Sequence, residues 1–232
     1  MKQIFKKIKE FYSNYQTEIK NTFVVSGIII LMVAVATLIF VTNRISYKPN
    51  INYNPLYVQT CMYTLKYDAA KLELINEVNT YINQVAPQSS LDGYVIVEEC
   101  LNNSIDICFV LAQGEQESHF GTTGLARRTN SVFNVYAYDG QSHDEISDKG
   151  KYKHPNYSVQ PYIELLKKDY LVNGKTEYDL MDGQYINRNG ARYASSETYE
   201  RSLLDKYTKI RQNTKIDSLC QETNKYKLFL GL

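Results

Sequence analysis

The sequence has no tryptophan and only three histidines among its 232 residues. It also lacks the large basic excess of a nucleic-acid-binding protein, because 26 lysines and arginines face 25 aspartates and glutamates. We therefore expect no nucleic acid partner. The few histidines do not fall at a metal-ligand spacing with one another or with the cysteines, so we expect no metal and no other cofactor. A hydrophobic fraction of 44% excludes a wholly disordered chain.

Charge is missing altogether from residues 23–42. A helix over this run would be about 30 Å long, which matches the hydrocarbon core of a bilayer. Residues 1–22 carry five lysines against two glutamates, and this positive bias favours a cytoplasmic N-terminus. The sequence thus predicts a basic tail at 1–22, a single transmembrane helix at 23–42, and a C-terminal part that is periplasmic or otherwise extracytoplasmic. The alternative is a cleaved signal peptide, since residues 34–36 have the A-x-A pattern of a cleavage site.

Beyond the apolar run, the composition divides the chain into three parts. Residues 43–65 are rich in asparagine and tyrosine with two prolines, which predicts an extended spacer. Residues 66–213 are predicted to form one domain, and residues 214–232 a helical extension at the C-terminus.

The apolar residues recur with the period of an α-helix, which predicts a mostly helical domain. A stripe from Leu72 to Val85 predicts one helix that ends before Pro87, and Asp92 is a predicted N-cap of the next. Residues 135–157, rich in glycine, serine and charge, predict a loop or short hairpin. Further helices are predicted over residues 104–118, 162–170 and 197–212.

All four cysteines follow the apolar run. Three pairings of Cys61, Cys100, Cys108 and Cys220 are open, and the sequence does not choose among them. Cys108 lies within an apolar helical run, where a buried free thiol is the simplest interpretation.

One acidic residue falls on an apolar helical face. Ile107, Val110, Leu111 and Gly114 follow the helical period, and the next inward position is Glu117. A buried, unpaired carboxylate is costly and tends to hold a proton. A carboxylic acid in a cleft is what glycoside cleavage needs to protonate the departing oxygen.

The alternative for Glu117 is a structural acid paired with Arg127 or Arg128. Glu115 lies about 200° around the same helix and is expected to face solvent or a side wall.

Four segments resemble the bacterial N-acetylglucosaminidases of glycoside hydrolase family 73, which act on peptidoglycan. Residues 112–121 (AQGEQESHFG) are similar to the family's AQ-x-x-x-ES-x-x-G motif. Residues 124–138, 156–166 and 192–204 are similar to three later family segments and come in the same order. The resemblance covers about residues 75–213, and the four segments together are specific where each alone would be weak.

The resemblance implies site residues. Glu117 corresponds to the general acid and Tyr193 to a tyrosine beside the scissile bond. Asn130 and Phe133 correspond to the floor of the groove. Because tryptophan is absent, Phe120 and tyrosines such as Tyr136 are expected to stack on the sugar rings.

The implied fold is mainly α (α+β): a lysozyme-like domain with a helical lobe and a small β-hairpin lobe. The sequence departs from the family where Ser131 and Asn134 replace an asparagine and a glycine. The β-lobe is short, so a second catalytic carboxylate is uncertain, and a solvated loop is the alternative for each acid there. Glu145 is preferred among the four candidates, which are Asp139, Asp144, Glu145 and Asp148.

These features together predict a membrane-anchored peptidoglycan hydrolase that cleaves β-1,4 bonds of N-acetylglucosamine-containing glycan. Its partners would be peptidoglycan strands and, through residues 23–42, the lipid bilayer. A lytic transglycosylase of the same fold and a non-catalytic glycan-binding protein of the envelope or of a phage virion are the alternatives.

Overall fold

A computed structural model describes residues 54–137, 140–186, 190, 192–194, 196 and 198–232. The predicted basic tail, the predicted transmembrane helix and most of the predicted spacer lie outside these residues. Within the described part of the chain, no helix is both long and apolar enough to cross a membrane. Residues 55–232 form one compact unit.

The described residues are mainly helical, as the sequence predicts. A π-helical turn, Leu166–Tyr170, continues α5, and short 3₁₀ turns occur at His143–Glu145, Asp148–Gly150 and Pro155–Ser158. The α-helices are α1 Pro55–Val85, α2 Gly93–Asn103, α3 Ile107–Ser118, α4 Ala126–Thr129, α5 Val159–Leu165, α6 Glu177–Leu180, α7 Tyr199–Asn213 and α8 Ile216–Leu230.

Aspartate side chains begin two of these helices. The Asp92 carboxylate accepts a hydrogen bond from the Tyr94 N–H at 2.9 Å, which confirms the predicted N-cap of α2. The Asp106 carboxylate does the same for α3, at 2.8 Å from the Cys108 N–H. Each side chain satisfies an amide that has no partner within its own helix.

The prediction of an extended spacer is wrong for residues 55–65, because these residues belong to helix α1. Pro55 suits the first helical position, where its missing N–H is not needed. The first turns of α1 also pack on α8, where the Tyr63 and Phe229 rings stack with centroids 3.7 Å apart. Farther along, Leu74, Val78 and Ile82 form the buried stripe of this helix.

Helix α3 runs through the centre of the domain, with residues 107–114 buried on every side. It packs against α7, and α1 packs against both α2 and α8. Its end is fixed by His119 and Phe120, which both have left-handed backbones. The Phe120 N–H donates to the Gly114 carbonyl at 2.9 Å and the His119 N–H to the Glu115 carbonyl at 3.1 Å, so the left-handed residues satisfy the last carbonyls of the helix.

The predicted β-hairpin lobe is not seen in the part of the chain that the structure describes. Among the described residues of 135–157 there are 3₁₀ turns and no strand. Ser142 and Glu145 cap one of these turns reciprocally, and Pro155 begins another. Local hydrogen bonds within turns therefore take the place of the hydrogen bonds between the strands of a hairpin. An isolated antiparallel bridge joins Ile186 to Arg192.

Candidate active site

Glu117 lines a cleft with a volume of about 610 Å³. This volume is in the range of small-ligand sites. The cleft lies between the end of α3, the turn at residues 133–137, the α5 segment with its π-helical turn, and the start of α7. It is lined by Gln113, Glu117, Phe133, Asn134, Val135, Tyr136, Ala137, Tyr162, Leu165, Leu166, Asp169, Tyr170, Tyr193, Ala194, Ser196 and Tyr199.

Two donors hold the half-buried Glu117 carboxylate. The Tyr199 hydroxyl donates to Oε1. The Asn134 side-chain amide donates to Oε2 at 3.2 Å and also to the Glu117 backbone carbonyl at 3.2 Å. The carboxylate is therefore oriented from two sides of the cleft before any ligand is present.

Asn134 contacts Glu117 in the cleft, although in the sequence it stands out only because it replaces a glycine of the family pattern. Its backbone is left-handed, with φ of 50°, which is the conformation that glycine adopts readily. Asparagine tolerates this conformation as well, and here its side chain adds a contact to Glu117 that glycine cannot make.

Three tyrosine hydroxyls surround the acid. Burial raises the pKa of Tyr193 and of Tyr199, and the nearby Glu117 carboxylate raises both further. Burial also raises the pKa of Tyr162. All three phenols therefore stay protonated and neutral at physiological pH.

Gln113 lies one helical turn before Glu117 and is 2% exposed. Its side-chain carbonyl accepts a bond from the Tyr199 hydroxyl at 3.4 Å. Within the described part of the chain, its amide nitrogen and the Tyr162 hydroxyl make no hydrogen bond. The Tyr193 hydroxyl lies close to both groups. These buried polar groups lie together beside Glu117 in the wall of the cleft.

Phe133 and Tyr136 both line the cleft. The Phe133 ring is 6% exposed and stacks on Tyr162, with centroids 3.8 Å apart and planes 7° from parallel. Tyr136 is 45% exposed, so much of its ring is free to contact a ligand.

Tyr193 is positioned by its neighbour in sequence. The Arg192 guanidinium contacts both oxygens of the Glu200 carboxylate, at 2.9 and 3.0 Å, and the Glu200 side chain is 4% exposed. This pair ties the segment that carries Tyr193 to the first turn of α7. The Tyr193 ring then packs edge-on against Tyr199, with centroids 5.9 Å apart.

Two predicted binding residues lie elsewhere. Phe120 is 0% exposed and packs edge-on against Tyr81, so its ring cannot stack on a sugar. The left-handed turn after α3 sends this ring into the core. Asn130 caps α4 and donates to the Tyr152 carbonyl at 2.8 Å, and it does not line the cleft.

The preferred second carboxylate, Glu145, also does not line the cleft. It is exposed and accepts a bond from the Ser142 N–H at 2.6 Å, which lowers its pKa. Asp144 and Asp148 are exposed in the same turns and lie outside the cleft. Asp139 falls outside the described residues.

Asp169 is an acidic cleft residue that sequence reasoning missed. It is half-buried in the π-helical turn after α5, and this turn belongs to the cleft wall. The helical period from Tyr162 through Leu165, Leu166 and Asp169 was the available signal, because these residues share one face. π-Helical turns are frequent at functional sites.

Glu115 belongs to a different environment from Glu117. Its carboxylate accepts bonds from the Tyr81 hydroxyl and, at 2.7 Å, from the Lys206 ammonium group. It therefore faces a side wall formed by α1 and α7. Arg127 and Arg128 are exposed and line a separate depression with residues 122–124.

Within the described residues, no group of three or more histidine, cysteine or acidic side chains is arranged to hold a metal ion. All four cysteines are free thiols, and Cys108 is buried as predicted. Cys100, Cys108 and Cys220 line a second cavity of about 350 Å³. Burial raises the pKa of the Cys220 thiol to about 11 and that of Cys100 well above its ordinary value, so these thiols are poorly reactive.

No protein-family model matches the chain, and no curated protein and no solved structure does so. The functional assignment therefore rests on the sequence pattern and on the geometry of the cleft.

Proposed function

We propose that this protein is a membrane-anchored peptidoglycan hydrolase. It would cleave β-1,4 bonds of N-acetylglucosamine-containing glycan, with Glu117 as the general acid. The observation that carries the proposal is the oriented carboxyl group of Glu117 at the end of a buried helix, in a cleft walled by aromatic rings. The glucosaminidase-like segments of the sequence and a lysozyme-like arrangement of the helical lobe are part of the same proposal.

The chemistry follows from the contacts of Glu117. A protonated carboxyl group gives its proton to the glycosidic oxygen as the bond to the sugar breaks. Tyr199 and Asn134 fix the two oxygens, so less orientational freedom is lost when the substrate binds. The exposed ring of Tyr136 offers a flat surface for a sugar ring.

We propose Asp169 as the second carboxylate in place of Glu145. It is a carboxylate that lines the same cleft as Glu117, and it could act as a base or a nucleophile. Separations near 5 Å predict retention of configuration, and wider ones that admit a water predict inversion. If neither applies, the acetamido group of the substrate can serve as an internal nucleophile.

The test is clearing of a cell-wall suspension by the purified full chain in detergent. We expect Glu117→Gln to reduce clearing by at least about 100-fold, because the variant keeps the shape of the side chain but has no acidic proton. Glu145→Gln is the matched control and should clear like the wild type, since Glu145 lies outside the cleft.

The products distinguish the alternatives. Hydrated reducing ends that begin with N-acetylglucosamine, identified by mass spectrometry, support the hydrolase. Anhydro ends would instead identify a lytic transglycosylase. Binding to peptidoglycan without any released ends would identify a glycan-binding protein, and equal clearing by wild type and Glu117→Gln would reject the assigned acid.

A further inference from the structure

An exposed apolar surface lies where the start of α1 meets the end of α8. The two helices run antiparallel: Tyr63 near the start of α1 stacks on Phe229 near the end of α8, and Glu77 farther along α1 accepts a bond from the Lys215 N–H at 3.0 Å. We call this surface the apolar end. Its exposed members are Leu56, Tyr57, Val58, Met62, Leu65, Leu228, Phe229 and Leu232.

The apolar end exposes an unusually large amount of apolar side chain, and the exposed residues occur together at one end of two helices. Leu228 is 83% exposed, Leu65 70% and Leu232 68%. Single exposed apolar side chains are common, but a cluster of this size on a monomer marks a surface that contacts something else. Polar residues would suit these positions if they faced water alone.

The side-chain charges closest to the apolar end are mostly positive. In the sequence no aspartate or glutamate occurs between Glu18 and Asp68, and none follows Glu222, whose carboxylate accepts a bond from the Tyr226 hydroxyl at 3.0 Å. Exposed Lys66 and Lys225 and the half-buried Lys227 border the apolar side chains. A surface bordered mainly by positive charges repels a second copy of itself and suits the anionic headgroups of a bilayer.

The apolar end also carries tyrosines, which are typical of membrane–water interfaces. Tyr57, Tyr63, Tyr226 and Phe229 lie at or beside the apolar end. Tyrosine concentrates at membrane–water interfaces because its ring is apolar and its hydroxyl is polar. An amphipathic helix with aromatic and aliphatic residues on one side and lysines beside them lies in such an interface.

The segment before α1 is short, which limits the distance between the apolar end and a bilayer that holds residues 23–42. Residues 43–54 separate the uncharged run at 23–42 from the start of α1. Twelve residues span at most about 40 Å even when fully extended. If the uncharged run is in a bilayer, the apolar end is never far from the lipid surface.

We infer that the apolar end of α1 and α8 is seated in the interfacial layer of the lipid bilayer. This inference rests on the proposed membrane anchoring by residues 23–42. It goes beyond anchoring, because the domain is then held against the membrane at one end and does not move freely on a tether. Its ligand class is an anionic phospholipid surface.

Cys61 provides a natural probe, because it is exposed on α1 among the apolar residues. The full chain, with Cys220→Ser to leave Cys61 as the accessible thiol, is labelled with a polarity-sensitive fluorophore and reconstituted in vesicles of phosphatidylcholine and phosphatidylglycerol. We expect blue-shifted emission and strong quenching by lipids that carry a spin label near the headgroup. The matched control is a label at Tyr178→Cys in a background with both Cys61→Ser and Cys220→Ser, since Tyr178 is 66% exposed on α6. That label should behave as in water.

Surface variants complete the test. Leu228→Ser together with Phe229→Ser should reduce quenching at Cys61 several-fold, whereas Tyr157→Ser, at a residue 64% exposed elsewhere, should not. Failure of the full chain to float with vesicles would reject the anchoring proposal itself. Flotation with a water-exposed label at Cys61 would overturn only the present inference. A shielded label that lipids do not quench would also overturn it, because another protein surface would then cover the apolar end.

Discussion

At the scale of single residues, the hydroxyl of Tyr199 is the contact that most directly orients Glu117. We expect Tyr199→Phe to lower the rate of glycan cleavage about 10- to 100-fold, because Glu117 becomes charged as it gives up its proton and one hydrogen bond to a charged group contributes roughly 1.5–3 kcal/mol. The measurement is the release of reducing ends from purified peptidoglycan.

Tyr207→Phe is the matched control on the same helix. The Tyr207 hydroxyl donates to the Asp106 carboxylate at 2.8 Å, away from the cleft. This variant should lose stability but keep its rate at temperatures where it is folded. Equal rate losses in the two variants would mean that Tyr199 acts only through folding.

Asp169 gives a second prediction at this scale. If it is the second carboxylate, Asp169→Asn should reduce cleavage at least about 100-fold, and azide should restore activity by replacing the lost group. Azide gives the inverted sugar azide in either mechanism, so retention or inversion is read from the anomeric configuration of the first sugar product released by the wild type, followed by NMR. Asp148→Asn is the control, since Asp148 is exposed outside the cleft. An Asp169→Asn variant with full activity would leave the acetamido group of the substrate as the nucleophile.

At the scale of elements, the contact between α1 and α2 depends on the absence of a side chain at Gly93. A Cβ there would lie 2.8 Å from Val78 Cγ1 and 3.0 Å from the Asn79 backbone nitrogen. We therefore expect Gly93→Ala to lower the free energy of unfolding by about 1–3 kcal/mol, measured by denaturant unfolding.

Gly183→Ala is the comparison for this prediction, because a Cβ at Gly183 would meet nothing within 4 Å. Its effect should stay within about 0.5 kcal/mol. A Gly93→Ala variant as stable as Gly183→Ala would show that α1 and α2 can separate slightly at no cost.

At the scale of the whole molecule, one charged contact joins three helices. Glu115 on α3 accepts bonds from Tyr81 on α1 and from Lys206 on α7, and its side chain is 16% exposed. Lys206→Met should cost about 1–3 kcal/mol, because a mostly buried carboxylate loses its cation. Thermal unfolding is the measurement, and Lys209→Met, at an exposed position of the same helix, should unfold like the wild type.

Much of the helical framework could be predicted because it depends on neighbours in sequence. The N-cap at Asp92, the end of α1 before Pro87 and the placement of Glu117 on the inward stripe follow from helix geometry and capping. The same local reasoning misplaced residues whose positions depend on a turn. Phe120 follows a helix end with left-handed backbone, so the helical period no longer describes where its ring points.

The sequence by itself determined a mostly helical chain with an uncharged run and a carboxylate on an apolar helical stripe. Only the tertiary structure decided which groups meet that carboxylate. Asn134 is 17 residues from Glu117 along the chain and Tyr199 is 82, and Asp169 joins the cleft through a π-helical turn. The physical reason is that periodicity encodes which face of an element is buried, whereas the partner across a cleft is set by how separate elements pack.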